Sequence, residues 1–117
     1  MIKIYGIKTC DGVRKAIKFL KTNEIPYEFV DFRVTPVDLN TINHWLKYSD
    51  IKTLFNSRST TYRKLKLKDM NLNDEEKITW LAKENTLIKR PVIELENNVI
   101  IGYDEDIYLE KLIDKKG

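Results

Sequence analysis

Two strand-like segments and one helix-like segment make up the N-terminal third of the chain. Met1–Tyr5 is a short apolar run and Tyr27–Phe32 alternates aromatic and acidic residues, so both are predicted as strands. Between them, Asp11–Thr22 is predicted as a helix, because apolar residues recur on one side of it. These apolar residues are Val13, Ala16, Ile17 and Leu20. This β–α–β order predicts a pair of parallel strands.

Residues 38–87 carry mostly helical signals, which predicts a block of inserted helices. The apolar face of the first of these helices consists of Leu39, Ile42, Trp45 and Leu46. Further along, Thr60 or Thr61 is predicted to cap a helix over Tyr62–Leu67. The acidic residues after Asn73 suit the first turn of another helix, because the helix dipole favours negative charge there.

The C-terminal part of the chain contains two more short apolar runs. Val92–Leu95 and Val99–Gly102 flank an asparagine-containing turn, which is typical of an antiparallel hairpin. Asp104 or Glu105 then starts a last predicted helix. The full order is βαβ, a helical insertion, then ββα. It predicts an α/β, thioredoxin-like fold with a mixed four-stranded sheet.

The composition predicts one globular domain over residues 1–117, with 42% hydrophobic and 33% charged residues. No apolar run approaches the roughly 20 residues of a transmembrane helix. The N-terminus also lacks the pattern of a signal peptide, so we expect a cytoplasmic protein that does not associate with membranes. Cys10 has no second cysteine with which to form an internal disulfide, and with His44 it supplies too few ligands for structural zinc.

The net charge of +3 comes from lysines spread along the chain. No recognition motif accompanies this charge, so we expect no direct binding to nucleic acid. A solvated surface explains the charge, and a small anionic partner such as an oxyanion or glutathione fits it equally well. A monomer is the expected oligomeric state.

Cys10 is the strongest candidate for chemistry, because it stands between the first predicted strand and the first predicted helix. Unpaired backbone N–H groups and the positive end of the helix dipole favour an anion at a helix N-terminus. A thiolate is such an anion, and it is the nucleophilic form of cysteine. Lys8, two residues earlier, would favour the thiolate further. The structural alternatives are a small buried hydrophobe for Cys10 and a solvated surface residue for Lys8.

Three separated motifs resemble the ArsC family, which includes glutaredoxin-linked arsenate reductases, Spx regulators and YffB-like proteins. The motifs are YGIKTCD at residues 5–11, NSRSTTYRKL at residues 56–65 and IKRPVI at residues 88–93. They occur in family order along nearly the whole chain. Their detailed form is most similar to the YffB-like subgroup.

The resemblance implies a set of site residues. Cys10 corresponds to the catalytic cysteine, and Arg58 and Arg90 correspond to arginines that hold the oxyanion or stabilise the thiolate. Arg14 falls on a basic position of the family. Pro91 matches a proline that is cis in the superfamily and faces the cysteine. From the residues alone, each arginine is also explained as a solvated surface group.

The chain departs from its relatives at two places. Val13 stands where a Cys-x-x-Cys motif would have its second thiol, so the dithiol switch of Spx regulators is absent. Residues 102–104 contain no arginine, although the arsenate reductases have a third oxyanion-binding arginine about there. The second departure weakens the case for arsenate as substrate.

A monothiol enzyme is therefore the predicted function. In this hypothesis Cys10 acts in thiol–disulfide exchange, and glutathione, a co-substrate and not a bound cofactor, resolves its mixed disulfide. One alternative is an arsenate reductase that works with glutathione and glutaredoxin. The other is a non-catalytic, Spx-like regulator that binds the RNA polymerase α subunit.

Overall fold

Four strands form one mixed sheet in the computed structural model of the protein, which describes residues 1–113. The strands are β1 (Ile2–Gly6), β2 (Tyr27–Asp31), β3 (Val92–Glu94) and β4 (Val99–Ile101). Their order across the sheet is β2-β1-β3-β4. β1 is parallel to β2 and antiparallel to β3, and β3 pairs with β4 as an antiparallel hairpin. The predicted thioredoxin-like fold, with its parallel pair and its hairpin, is confirmed.

Helices fill the connections between the strands and follow the last strand. The α-helices are α1 (Asp11–Thr22), α2 (Leu39–Trp45), α3 (Ile51–Leu54), α4 (Thr60–Lys64), α5 (Asp74–Lys83) and α6 (Glu105–Tyr108). Two 3₁₀ turns, Leu67–Met70 and Asn85–Leu87, flank α5, and a π-helical turn, Leu109–Ile113, continues α6. No helix in the described part of the chain has the length and apolar character to cross a membrane.

The sheet separates two hydrophobic clusters, because neighbouring residues of a strand face opposite sides. On one side, Ile4 of β1 and Ile93 of β3 pack with residues of α1 and with Tyr108 of α6. On the other side, Tyr5 and Val92 pack against the helices inserted between β2 and β3. The strand β1 therefore lies between two packed layers, and α1 belongs to one of them.

The predicted cap of α4 is wrong. Ser59 precedes the helix, and its side chain accepts a hydrogen bond from the Tyr62 backbone N–H, so neither Thr60 nor Thr61 is the cap. The helix also ends at Lys64, before the left-handed residue Lys66. Ser59 is 5% exposed, and its hydroxyl has a partner only if it caps the helix.

The last helix begins where the sequence predicts it. Asp104, one of the two predicted start residues, caps α6 by accepting a hydrogen bond from the Ile107 N–H. The α-helical geometry extends only to Tyr108 and then widens into the π-helical turn. Tyr108 is fully buried and donates its phenolic hydrogen bond to the Gly102 carbonyl oxygen at 2.7 Å.

Candidate active site around Cys10

Cys10 is the N-cap residue of α1, with extended backbone geometry at φ −83° and ψ 127°. Its backbone N–H donates to the Ile7 carbonyl at 3.2 Å, and its carbonyl accepts from the Arg14 N–H at 3.0 Å. The thiol itself makes no capping hydrogen bond. The partly buried sulfur is therefore held at the helix N-terminus without an internal partner there.

Gly6, at the end of β1, sets the close approach of the strand and the helix. A β-carbon at this position would collide with the Val13 side chain, which is fully buried on α1. Because glycine lacks that atom, the end of β1 and the first turn of α1 can pack closely together. This loop carries Lys8 and ends at Cys10.

The Arg90–Pro91 peptide bond lies across Gly12 from the thiol. A β-carbon on Gly12 would be 3.4 Å from the Arg90 carbonyl oxygen, 3.5 Å from Pro91 Cδ and 3.9 Å from Cys10 Sγ. These three groups thus border one small space at the first turn of α1. The bond is cis, as the resemblance implied, and the Pro91 carbonyl accepts a hydrogen bond from the Gly102 N–H at 2.7 Å.

The guanidinium of Arg90 is only partly satisfied. Its Nη1 donates to the Thr86 carbonyl oxygen at 2.8 Å. Its Nε is buried and has no hydrogen-bond partner among residues 1–113. Because buried polar groups in proteins are almost always paired, this unpaired donor marks Arg90 as a candidate functional residue.

Arg58 lies on the segment that pairs with the residues preceding Arg90. Phe55 and Ile88 form an isolated antiparallel bridge, which brings the two arginine-bearing segments side by side. The Arg58 side chain is exposed. None of the side-chain hydrogen bonds or ion pairs described for residues 1–113 joins it to Cys10, so its predicted role stays a prediction.

Lys8 and Arg14 are both exposed and flank the thiol along the chain. Arg14 forms an ion pair with Asp11, with Nη2 2.5 Å from Oδ1. The Arg14 guanidinium holds the pKa of the Asp11 carboxyl below its usual value. The positive charge of Arg14 is thus directed at a neighbouring carboxylate, which reduces its effect on Cys10.

Two depressions on the surface lie away from Cys10. One of about 490 Å³ lies between α1 and α6, with Lys18 and Tyr103 in its lining. Another of about 600 Å³ lies beside the start of β1, with His44 and Glu94 in its lining. Neither includes Cys10. The site around Cys10 is therefore identified by its chemistry and not by the size of a cavity.

Sequence reasoning missed the polar partners that organise this region and its surroundings. Gly12 and Thr86 were not singled out, and Thr61 was considered only as a helix cap, because only the fold shows which groups these residues approach. Among residues 1–113, no group of three or more His, Cys, Asp or Glu side chains is arranged to hold a metal ion.

Residues 5–111 match the sequence profile of the ArsC family, and the chain belongs to this family. An uncharacterized protein from Haemophilus influenzae is 39% identical over 109 residues, which cover 92% of this chain and 96% of that protein. The solved structure of a protein named YFFB is 30% identical, covers 96% of this chain and 99% of its own, and has a TM-score of 0.89. That of a possible arsenate reductase from Streptococcus mutans is 31% identical over 92% and 97% of the two chains, with a TM-score of 0.75. The predicted family is confirmed.

Proposed function

We propose that this protein is a glutathione-dependent thiol–disulfide reductase with Cys10 as its nucleophile. The observation that carries the proposal is the position of the Cys10 sulfur. It lies at the N-terminus of α1, makes no capping hydrogen bond, and borders the same small space as the Arg90–Pro91 peptide. A helix N-terminus favours the anionic, nucleophilic form of a thiol.

The reaction has two exchange steps. In the first, the Cys10 thiolate attacks one sulfur of the substrate disulfide, the S–S bond breaks, and the departing thiolate takes a proton from solvent. In the second, the thiolate of glutathione attacks the Cys10 mixed disulfide, forms a new disulfide with the attached group, and releases Cys10. The resolving thiol must come from outside, because Cys10 is the only cysteine in the chain.

Cationic side chains around the site would bind the carboxylates of glutathione. A guanidinium can form two parallel hydrogen bonds to a carboxylate, and it stays charged at all working pH values. Arg90 suits this role because its backbone lies beside Cys10, and because only Nη1 of its guanidinium has a hydrogen-bond partner among the described residues. Arg58 and Lys8 would add charge, since both side chains are exposed and neither forms an ion pair in residues 1–113.

The first experiment compares the wild type with Cys10→Ser in the reduction of hydroxyethyl disulfide by glutathione. We expect the variant to show only the uncatalysed rate, because a serine hydroxyl does not ionise near neutral pH. The control is an unchanged thermal midpoint of unfolding. Equal rates for the wild type and Cys10→Ser would overturn the proposal. The next experiment would then test the alternative prediction, by asking whether the RNA polymerase α subunit retains the protein.

Arsenate reduction is a second candidate. It is supported by the unpaired Arg90 Nε and by the similarity to a possible arsenate reductase from Streptococcus mutans. Here the Cys10 thiolate would attack arsenic(V) and displace hydroxide, and two glutathione thiols would supply two electrons, become one disulfide and release arsenite. Turnover measured with arsenate, glutathione and glutaredoxin, against turnover with hydroxyethyl disulfide, distinguishes the two candidates.

A further inference from the structure

The two segments that carry Arg58 and Arg90 are joined along their length. We call residues 54–61 and 86–90 the arginine segments. Backbone hydrogen bonds of 2.8 Å connect them on both sides of the Phe55–Ile88 bridge, from the Asn56 N–H to the Leu87 carbonyl and from the Lys89 N–H to the Leu54 carbonyl. The two arginine segments therefore form one unit, and the Arg90 carbonyl at one end of it lies beside the Cys10 site.

A pair of threonine hydroxyls adds a side-chain link between the same segments. Thr61 Oγ1 and Thr86 Oγ1 lie 2.6 Å apart, which is a short hydrogen bond between partly buried groups. The backbone carbonyl of Thr86 is also the acceptor for Arg90 Nη1. Thr86 thus contacts α4 through its hydroxyl and the candidate anion-binding arginine through its carbonyl.

The Thr86 carbonyl belongs to the 3₁₀ turn Asn85–Leu87, where the Leu87 N–H of the same peptide unit donates to the Glu84 carbonyl at 3.0 Å. A turn this short has few such bonds, so contacts with neighbouring segments add to the orientation of its peptides. At one end of this turn, the Asn85 side chain bonds the Val37 backbone and the Leu81 carbonyl. On the side facing α4, the Thr61–Thr86 pair anchors the turn through a side-chain hydrogen bond.

We propose that Thr61 and Thr86 are positioning residues for anion recognition beside Cys10. Their hydroxyl pair sets the orientation of the Thr86 carbonyl, and this carbonyl orients the guanidinium of Arg90. An arginine side chain has many rotamers in solution, so an acceptor that holds one of them lowers the entropic cost of binding a carboxylate. This inference rests on the proposed function, because it assumes that Arg90 binds an anionic substrate.

The test compares two disulfides in their reaction with Cys10. Oxidised glutathione carries carboxylates and hydroxyethyl disulfide is neutral. In each case the thiolate attacks a sulfur, a mixed disulfide forms, and one thiolate leaves. The ratio of the two second-order rate constants, followed by intact mass, measures anion recognition. A change in the reactivity of the Cys10 thiol, or a general loosening of the fold, would alter both rate constants in the same proportion. The ratio of the two rate constants would then stay unchanged.

We expect Thr61→Val to lower this ratio by about 3- to 10-fold, which corresponds to one lost hydrogen bond. Thr61→Ser should restore it, since serine keeps the hydroxyl. Thr79→Val is the matched control, because it removes a threonine hydroxyl bond to the Glu75 carbonyl on α5, away from the arginine segments. Should Thr61→Val fail to fold, Thr86→Val removes the same link and keeps the Thr86 carbonyl.

Arg90→Ala separates this inference from the proposed function. If Arg90→Ala lowers the ratio and Thr61→Val does not, the positioning role is wrong and the role of Arg90 stands. If neither variant changes the ratio, anion recognition by Arg90 is wrong as well. Adding Thr61→Val to Arg90→Ala should produce no further change. A further decrease would show that Thr61 acts by another route and would overturn the inference.

Discussion

Polar side chains are hydrogen-bonded to one another at one end of the central sheet, whereas at the other end some have no partner among the described residues. Near the start of β1, both oxygens of the Glu94 carboxylate are paired: Tyr5 Oη donates to one at 3.3 Å and Trp45 Nε1 to the other at 2.7 Å. Beyond the end of β1, the Cys10 thiol caps nothing, and Arg90 Nε has no partner among residues 1–113.

This contrast separates a structural cluster from a candidate active site. Partly and fully buried polar groups that satisfy one another stabilise one arrangement of the core. Polar groups that are held in place without a partner are costly for stability, and such groups cluster at functional sites. We therefore expect changes at Glu94 to affect folding and changes around Cys10 to affect reactivity.

The largest effect should come from Glu94→Ala. This change leaves the Trp45 indole N–H and the Tyr5 hydroxyl without their acceptor, and Trp45 is fully buried. We expect the free energy of unfolding to fall by about 2 to 4 kcal/mol. Urea denaturation measures this loss. Glu94→Gln, which keeps one acceptor oxygen, should cost less.

Glu94→Gln should leave the rate constant of Cys10 with oxidised glutathione unchanged, because Glu94 lies at the opposite end of β1 from Cys10. A folded Glu94→Gln protein with a strongly altered rate constant would show that the two ends are coupled. The separation proposed above would then be wrong.

Arg90→Ala should have the next largest effect, at the other end of the sheet. It removes the guanidinium that we propose binds the glutathione carboxylate, and hydrogen bonds to charged groups contribute about 1.5 to 3 kcal/mol. We expect the rate constant with oxidised glutathione to fall by roughly 10- to 100-fold. Stability should change little, because the guanidinium makes one hydrogen bond, to Thr86, among the described residues. An unchanged rate constant would show that Arg90 does not take part in binding oxidised glutathione.

Gly12→Ala should slow the reaction with oxidised glutathione without lowering the stability of the protein. The added methyl group would lie 3.4 Å from the Arg90 carbonyl oxygen and 3.9 Å from Cys10 Sγ, so it narrows the space between them. We expect the reaction with oxidised glutathione to slow, with little change for hydroxyethyl disulfide. Stability should stay level or rise by up to about 1 kcal/mol, because alanine favours the helix. Lys18→Ala, exposed on the same helix, is the control.

Tyr5→Phe should have the smallest effect at neutral pH. Burial and the Glu94 carboxylate raise the pKa of Tyr5 from its usual 10.0 to about 12. The folded protein thus favours the neutral phenol, and this contribution to stability is complete below pH 10 and is lost as the pH rises through 12. The Tyr5→Phe protein should therefore lose less stability than the wild type as the pH rises through this range. Urea denaturation measures the stability of both proteins over this pH range. An equal loss of stability in the two proteins would contradict the assignment of the raised pKa to Tyr5.

Local patterns predicted much of the fold. The period of apolar residues located α1, and the β–α–β order predicted the parallel pair β1 and β2. The cap of α4 was missed because Ser59, Thr60 and Thr61 are all good capping residues, and only burial of Ser59 selects among them. The Glu94 cluster could not be predicted, because its partners are 49 and 89 residues away in sequence.

The sequence by itself determined that Cys10 begins a helix and that Arg90 precedes a proline, because both follow from neighbouring residues. Only the tertiary structure decided that the Arg90 carbonyl and the Cys10 thiol border one space at Gly12, and that Thr86 joins Thr61. The physical reason is that secondary structure depends on short-range periodicity and capping. A site depends on how the sheet aligns segments that are distant in sequence.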